Sequence, residues 1–146
     1  MPTFLVFCQT SGGRVDVTGL ASNAKRFFGA TLHSLGIAEQ GATRLRLVLP
    51  SASTGDFSIR VRQANADDWF AAREAEARGH AGGMAMLACR CAHVWALDFP
   101  DDAPSAVTYT ACGIAASLAL GPVLPADHST LFGVRGAIER AERGTT

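Results

Sequence analysis

A chain of 146 residues, 48% hydrophobic and 18% charged, is enough for one domain with a proper core, and its composition excludes a disordered polymer. Its 13 basic and 13 acidic side chains cancel, so the basic face that nucleic acid demands is not expected. The sequence has no apolar run of the roughly 18 residues a membrane span needs and no lipidation motif, so no membrane partner is expected either. Phe4-Leu5-Val6-Phe7 is apolar but has no Lys or Arg before it, unlike a secretory signal. Of the four cysteines Cys8, Cys89, Cys91 and Cys112, three lie in apolar runs and read as small hydrophobes; the expected compartment is a reducing cytoplasm.

In chain order, Thr3–Cys8 reads as a buried strand bounded by Gln9-Thr10-Ser11-Gly12-Gly13. A helix follows, capped by Asp16 or Thr18. Its apolar positions Leu20, Ala24, Phe27, Phe28, Thr31, Leu32 and Leu35 recur at helical spacing up to a left-handed stop at Gly36. Residues 44–49 alternate, with Arg44 and Arg46 on one face and Leu45 and Leu47 on the other, and Pro50 ends the strand. Residues 57–63 repeat the alternation, with Phe57, Ile59 and Val61 inward. Asn65 or Asp67 caps a second helix that Gly79 ends. Residues 84–91 fit a helix or a strand equally, and 93–99 read as a strand. Residues 105–120 are small and apolar almost all round, which predicts a buried helix. A last helix, capped by Asp127 or Ser129, runs to Arg143, and the tail 144–146 is expected to fray.

The predicted order is β-α-β-β-α-β followed by two helices. The expected fold class is therefore α/β (α+β): a split, ferredoxin-like sheet layer over residues 1–104, with a C-terminal helical extension over 105–146 packed on the same core.

Few residue groups here carry chemistry. In a strand, Cys89, Cys91 and His93 would share a face and Cys112 could join them. Zinc sites usually put two to four residues between cysteines rather than one, so a packed strand is the better expectation and neither a metal nor a cofactor is predicted. Gly79-His80-Ala81-Gly82-Gly83 lacks the Walker spacing and its Lys and reads as a joint. Lys25, the one lysine, sits beside Arg26 on a solvated helix face. Pro2 is more distinctive. With Met1 removed it exposes a secondary amine, whose reference pKa of about 7.7–8.0 lies below that of any side-chain amine. Desolvation and nearby cations lower such a value toward what a general base needs.

Residues 2–62 resemble the oxalocrotonate tautomerase group of the tautomerase superfamily. The likeness lies in Pro2 at the head of the first strand, in Gly13-Arg14-Val15-Asp16 leading into the first helix, in Arg46 within Thr43-Arg44-Leu45-Arg46-Leu47-Val48-Leu49, and in Gly55-Asp56-Phe57. The link from first helix to second strand is longer than in that group. The resemblance implies a small-molecule isomerase acting on an enolisable carboxylate. Pro2 would be the base, Arg14 and Arg46 would bind carboxylate and polarise a carbonyl, and Phe57 would form the apolar wall. It also implies a homo-oligomer with pockets near subunit boundaries. Read without it, the same arginines, Arg44 included, line the wet face of a half-covered sheet and could hold a small anionic molecule. The alternative function is thus a non-catalytic, oligomerising α/β module that binds an anionic ligand or a protein partner.

Overall fold

The computed structural model describes residues 2–9 and 14–143. Met1, residues 10–13 and residues 144–146 lie outside the described residues, and with them the turn after the first strand, Gly13 of the Gly-Arg turn, and the tail. Among the described residues the chain forms five helices and six strands, an α/β fold. They run β1 (Thr3–Cys8), α1 (Val17–Phe28), β2 (Thr31–Ile37), β3 (Thr43–Val48), β4 (Thr54–Gln63), α2 (Ala66–Gly79), α3 (Met84–Cys89), β5 (His93–Asp98), α4 (Ser105–Ala119), β6 (Val123–Leu124) and α5 (Val134–Arg143). The strands make one sheet in the order β2-β3-β4-β5-β1-β6, with every neighbouring pair antiparallel.

Strand alternation sorts the core onto two faces. Phe4, Val6 and Cys8 of β1 join Leu45 and Leu47 of β3 in the cluster beneath α1, α4 and α5. Leu5 and Phe7 point the other way, into a smaller cluster with Val94 and Leu124 beneath α2 and α3. Helix α4 buries eleven of its residues, as an all-round apolar sequence must. Asp16 caps α1 by accepting from the Gly19 N–H at 2.9 Å. Asn65 and Asp68 form a reciprocal capping box on α2.

The layout differs from the expected one in three places. Residues 31–37 are a strand and not the end of the first helix. Gly29 adopts φ +63° and the Ala30 N–H donates to the Ala24 carbonyl at 3.0 Å, which closes the helix a strand's length early. Gly36 does have φ +97°, but inside a bulge of β2 between Ser34 and Gly36. Because β2 takes the far edge, β3 and β4 return by hairpins and β5 fills the gap between β4 and β1. A ferredoxin-like sheet would instead place the first strand beside β4. Second, residues 84–91, ambiguous in the sequence, begin as helix α3. Third, the last helix starts at Val134. Before it, β6 pairs with β1 at Leu5 and Val6, and Phe132 bridges Val123 with backbone bonds of 2.7 and 3.2 Å. No helix among the described residues is long and apolar enough to cross a membrane.

Candidate functional site

Pro2 enters β1 with its carbonyl accepting from the Phe99 N–H at 3.0 Å. It lines a hollow of about 210 Å³ together with Phe4, Ser105, Thr108, Tyr109 and Asp127. Burial, reinforced by the Asp127 charge, pushes the Tyr109 phenol above its ordinary value. The Asp127 carboxyl is held below its ordinary value by hydrogen bonds from Ser129, whose N–H donates to it at 3.0 Å. An aromatic chain leads inward from this hollow. Tyr109 stands edge-on to Phe4 at 5.8 Å, Phe4 edge-on to Phe99 at 5.6 Å, and Phe99 is stacked on Phe57 at 5.4 Å. Phe57 is thus a core residue, 7% exposed, two rings away from Pro2.

The arginines lie elsewhere. Arg14 is exposed and precedes α1, whose Gly19 abuts Leu118 near the end of α4. Pro2 meets the start of α4, so the length of that helix, on the order of 20 Å, separates the two regions. Arg46 holds Asp56 in a two-point pair, 2.7 and 3.1 Å, on the solvent side of β3 and β4. That hydrogen bond holds the Asp56 carboxyl below its ordinary value. Arg60 grips Asp98 at 2.7 and 3.2 Å, with the Thr3 hydroxyl donating to the same carboxylate at 2.6 Å. Arg62 grips Asp68 at 2.6 and 2.7 Å. Burial raises the Asp68 and Asp98 carboxyls, but the guanidinium and other hydrogen bonds outweigh it and both end below the ordinary value. Arg44 is exposed beside this row. The half of the sheet that α2 and α3 leave bare therefore carries a row of arginines, three of which already hold aspartates.

The cysteines divide between the two cores. Cys91 is buried with Phe7 and Val94, and its thiol donates to the Leu87 carbonyl at 3.3 Å. Burial, with Cys8 and Cys89 near, pushes that thiol up to about 11. Cys112 sits inside α4 on the opposite face of the sheet, where burial likewise raises its thiol. Among the described residues, no group of three or more His, Cys, Asp or Glu side chains is placed to hold a metal ion. The Nε1 atoms of Trp69 and Trp95 are buried without a hydrogen-bond partner.

Another concavity was not legible in the sequence. It is an open cleft of about 480 Å³ walled by Phe27 of α1, Met84 and Leu87 of α3, Leu120 after α4, and Val134 of α5. The Ser117 hydroxyl also lines it but is already engaged, accepting from Asn23 at 3.0 Å and donating to the Ile114 carbonyl at 2.7 Å. Phe27, Leu87 and Leu120 are 56%, 40% and 60% exposed. Leu120 caps α4 in a left-handed conformation, φ +61°, which costs a leucine free energy that glycine would avoid. The Arg26 guanidinium lies 5.3 Å from the Phe27 ring centre. The elements forming the cleft are far apart in sequence, so no short motif announces it. The signals available were Phe27 on the exposed side of its helix and Leu120 at a capping position. Compared with models of protein families, with curated proteins and with solved structures, the chain matches none.

Proposed function

We propose that the chain is a non-catalytic binding module whose working surface is the apolar cleft between α1, α3, α4 and α5, and that it receives an apolar helix of a protein partner. The observation that carries this reading is the coincidence, at one cleft, of three exposed large apolar side chains with a strained backbone at Leu120. Small-molecule sites pair an apolar wall with a few polar groups that fix orientation. Here the one side-chain hydroxyl in the wall is spent within the protein, whereas a helix laid in a groove needs only apolar anchors. The arginine row argues less for an anionic ligand, since Arg46, Arg60 and Arg62 have carboxylates already. The test replaces Leu120 with a photo-cross-linking residue in producing cells. A discrete protein adduct is expected, lost on Phe27→Gln. No adduct, or the same adduct from a cross-linker at Arg60, ends the reading.

A second reading has one observation behind it: Pro2 borders a hollow holding a phenol, two hydroxyls and a carboxylate. In it, the freed amine of Pro2 abstracts a proton from an enolisable carboxylate substrate, as the tautomerase resemblance implies. The side chains around the hollow, with Tyr109 foremost, then do the polarising that the family gives to arginines. Intact mass of the purified chain and turnover of an enolisable keto acid by wild type and Pro2→Ala decide it. Met1 on every molecule, or equal turnover by the variant, removes it.

A further inference from the structure

The two ends of the sheet differ. At one end β6 is two residues long and closed by the Phe132 bridge. At the other, among the described residues, β2 has β3 on one side and no strand on the other. Edges of this kind are normally guarded by charge or proline. Thr31-Leu32-His33-Ser34-Leu35-Gly36-Ile37 contains no Lys, Arg, Asp, Glu or Pro, and Ile37 at its end is 76% exposed.

The register fixes which backbone groups of β2 face outward. The Leu49 N–H donates to the Ser53 carbonyl at 2.8 Å, closing the β3–β4 hairpin. Hydrogen-bonded and non-hydrogen-bonded pairs alternate in an antiparallel ladder. Leu47, Leu45 and Thr43 therefore bond toward β4, and Val48, Arg46 and Arg44 toward β2, opposite Thr31, His33 and Gly36. The Ala38 N–H donating to Ala42 at 2.8 Å fits the same parity. Leu32, Ser34 and Ile37 are left with their amides and carbonyls pointing away from the sheet.

Two copies of one strand can pair about a two-fold axis only if outward-facing residues meet outward-facing residues. Neighbours along a strand face opposite ways, so the pairing must put some residue opposite itself. The register that uses Leu32 and Ser34 of both copies sets Leu32 against Ser34 and His33 against His33 of the second copy. Past the bulge it brings Ile37 level with Ala30 of the second copy. The strand brings no Lys, Arg, Asp or Glu to this seam, and the pairing continues the all-antiparallel sheet of each subunit.

We propose that β2 is a self-association edge: two copies of this chain pair through it, antiparallel about a two-fold axis at His33, into one twelve-stranded sheet. The occupant is a second copy and not an unrelated peptide because the uncharged strand satisfies its own outward groups. This proposal does not depend on the apolar cleft. The groups facing His33 are Arg46, opposite it on β3, and Asp56 on β4, which holds Arg46. A cation placed at position 33 of both copies would set like charges against each other across the axis. Edge pairing of this length is a small interface of the weak class, so the dimer should dissociate on dilution.

Sedimentation of the full chain at about 100 µM tests it, and a dimer is expected. His33→Gln should keep the dimer. His33→Arg, at an exposed position, sets like charges against each other across the axis and should weaken it about tenfold. Ser34→Pro, which deletes one outward N–H and none that faces β3, should give a monomer with an unchanged circular dichroism spectrum. A wild type that stays monomeric, or a dimer indifferent to His33→Arg, overturns the proposal.

Discussion

Leu120 stands where a helix ordinarily places glycine. Its backbone is left-handed and its side chain is 60% exposed, so the leucine adds strain to the fold and little burial. Replacing it with glycine should therefore stabilise the chain by up to about 1 kcal/mol, seen as a higher urea midpoint with an unchanged slope. A drop in stability would instead mean that Leu120 is held by packing. Asp68 is the opposite case, a residue whose loss is costly. Its side chain is 7% exposed. It takes two bonds from Arg62 and one from the Asn65 N–H, so it holds β4 to the start of α2 as well as capping that helix. Asp68→Asn keeps the shape but removes the charge that Arg62 faces, and should cost about 2 kcal/mol by chemical denaturation. Arg62 keeps 40% side-chain exposure and can turn to water, which limits the loss.

At the scale of elements, Gly113 shows how tightly the helix layer is set. A Cβ there would stand 3.0 Å from the Phe28 ring and 3.2 Å from the Ala137 Cβ, at the meeting of α1, α4 and α5. Gly113→Val overpacks that contact and should lower stability by about 2 kcal/mol; melting the variant and the wild type side by side checks it. The sequence made some of these elements legible and hid others for identifiable reasons. Arg44 and Arg46 alternating with Leu45 and Leu47 announced β3, since each strand face there has a single environment. Asn65, one of the two capping candidates read beside Asp67, announced α2. β2 was hidden because Phe27, Phe28, Thr31, Leu32 and Leu35 continue a helical spacing across Gly29, and periodicity cannot see a left-handed residue inside a run. β6 was hidden by its shortness: Val123 and Leu124 are a strand only because β1 and Phe132 lie on either side. Of the site, Pro2, Arg14, Arg44, Arg46 and Phe57 were all readable as residues. Sequence could not show that Arg46 is occupied by Asp56, that Phe57 is enclosed by Phe99, or that Phe27 and Leu120 share a cleft. Those are facts of distance between elements.

Across the whole molecule, the charges are arranged to hold the sheet and its helices together. Asp98 links β5 to β4 through Arg60 and to β1 through Thr3, Asp68 links α2 to β4, and Asp56 links β4 to β3. All three carboxyls titrate below their ordinary value in the folded chain, for Asp68 and Asp98 in spite of burial and for Asp56 because of Arg46. A carboxyl whose folded pKa lies below its unfolded one binds fewer protons in the folded state. Its contribution is complete above the unfolded value of about 3.9 and is lost as pH falls through the folded value. Unfolding free energy should thus be flat with respect to these groups above about pH 5 and fall below about pH 4, each contributing a slope of at most about 1.4 kcal/mol per pH unit. Urea titrations at stepped pH check this. Asp68→Asn combined with Asp98→Asn should be less stable at neutral pH, yet lose less stability per pH unit in acid, because two of the proton-binding differences are gone. If the double variant falls as steeply as the wild type, the acid sensitivity resides in carboxyls outside this network and the pairs on the bare face are passive.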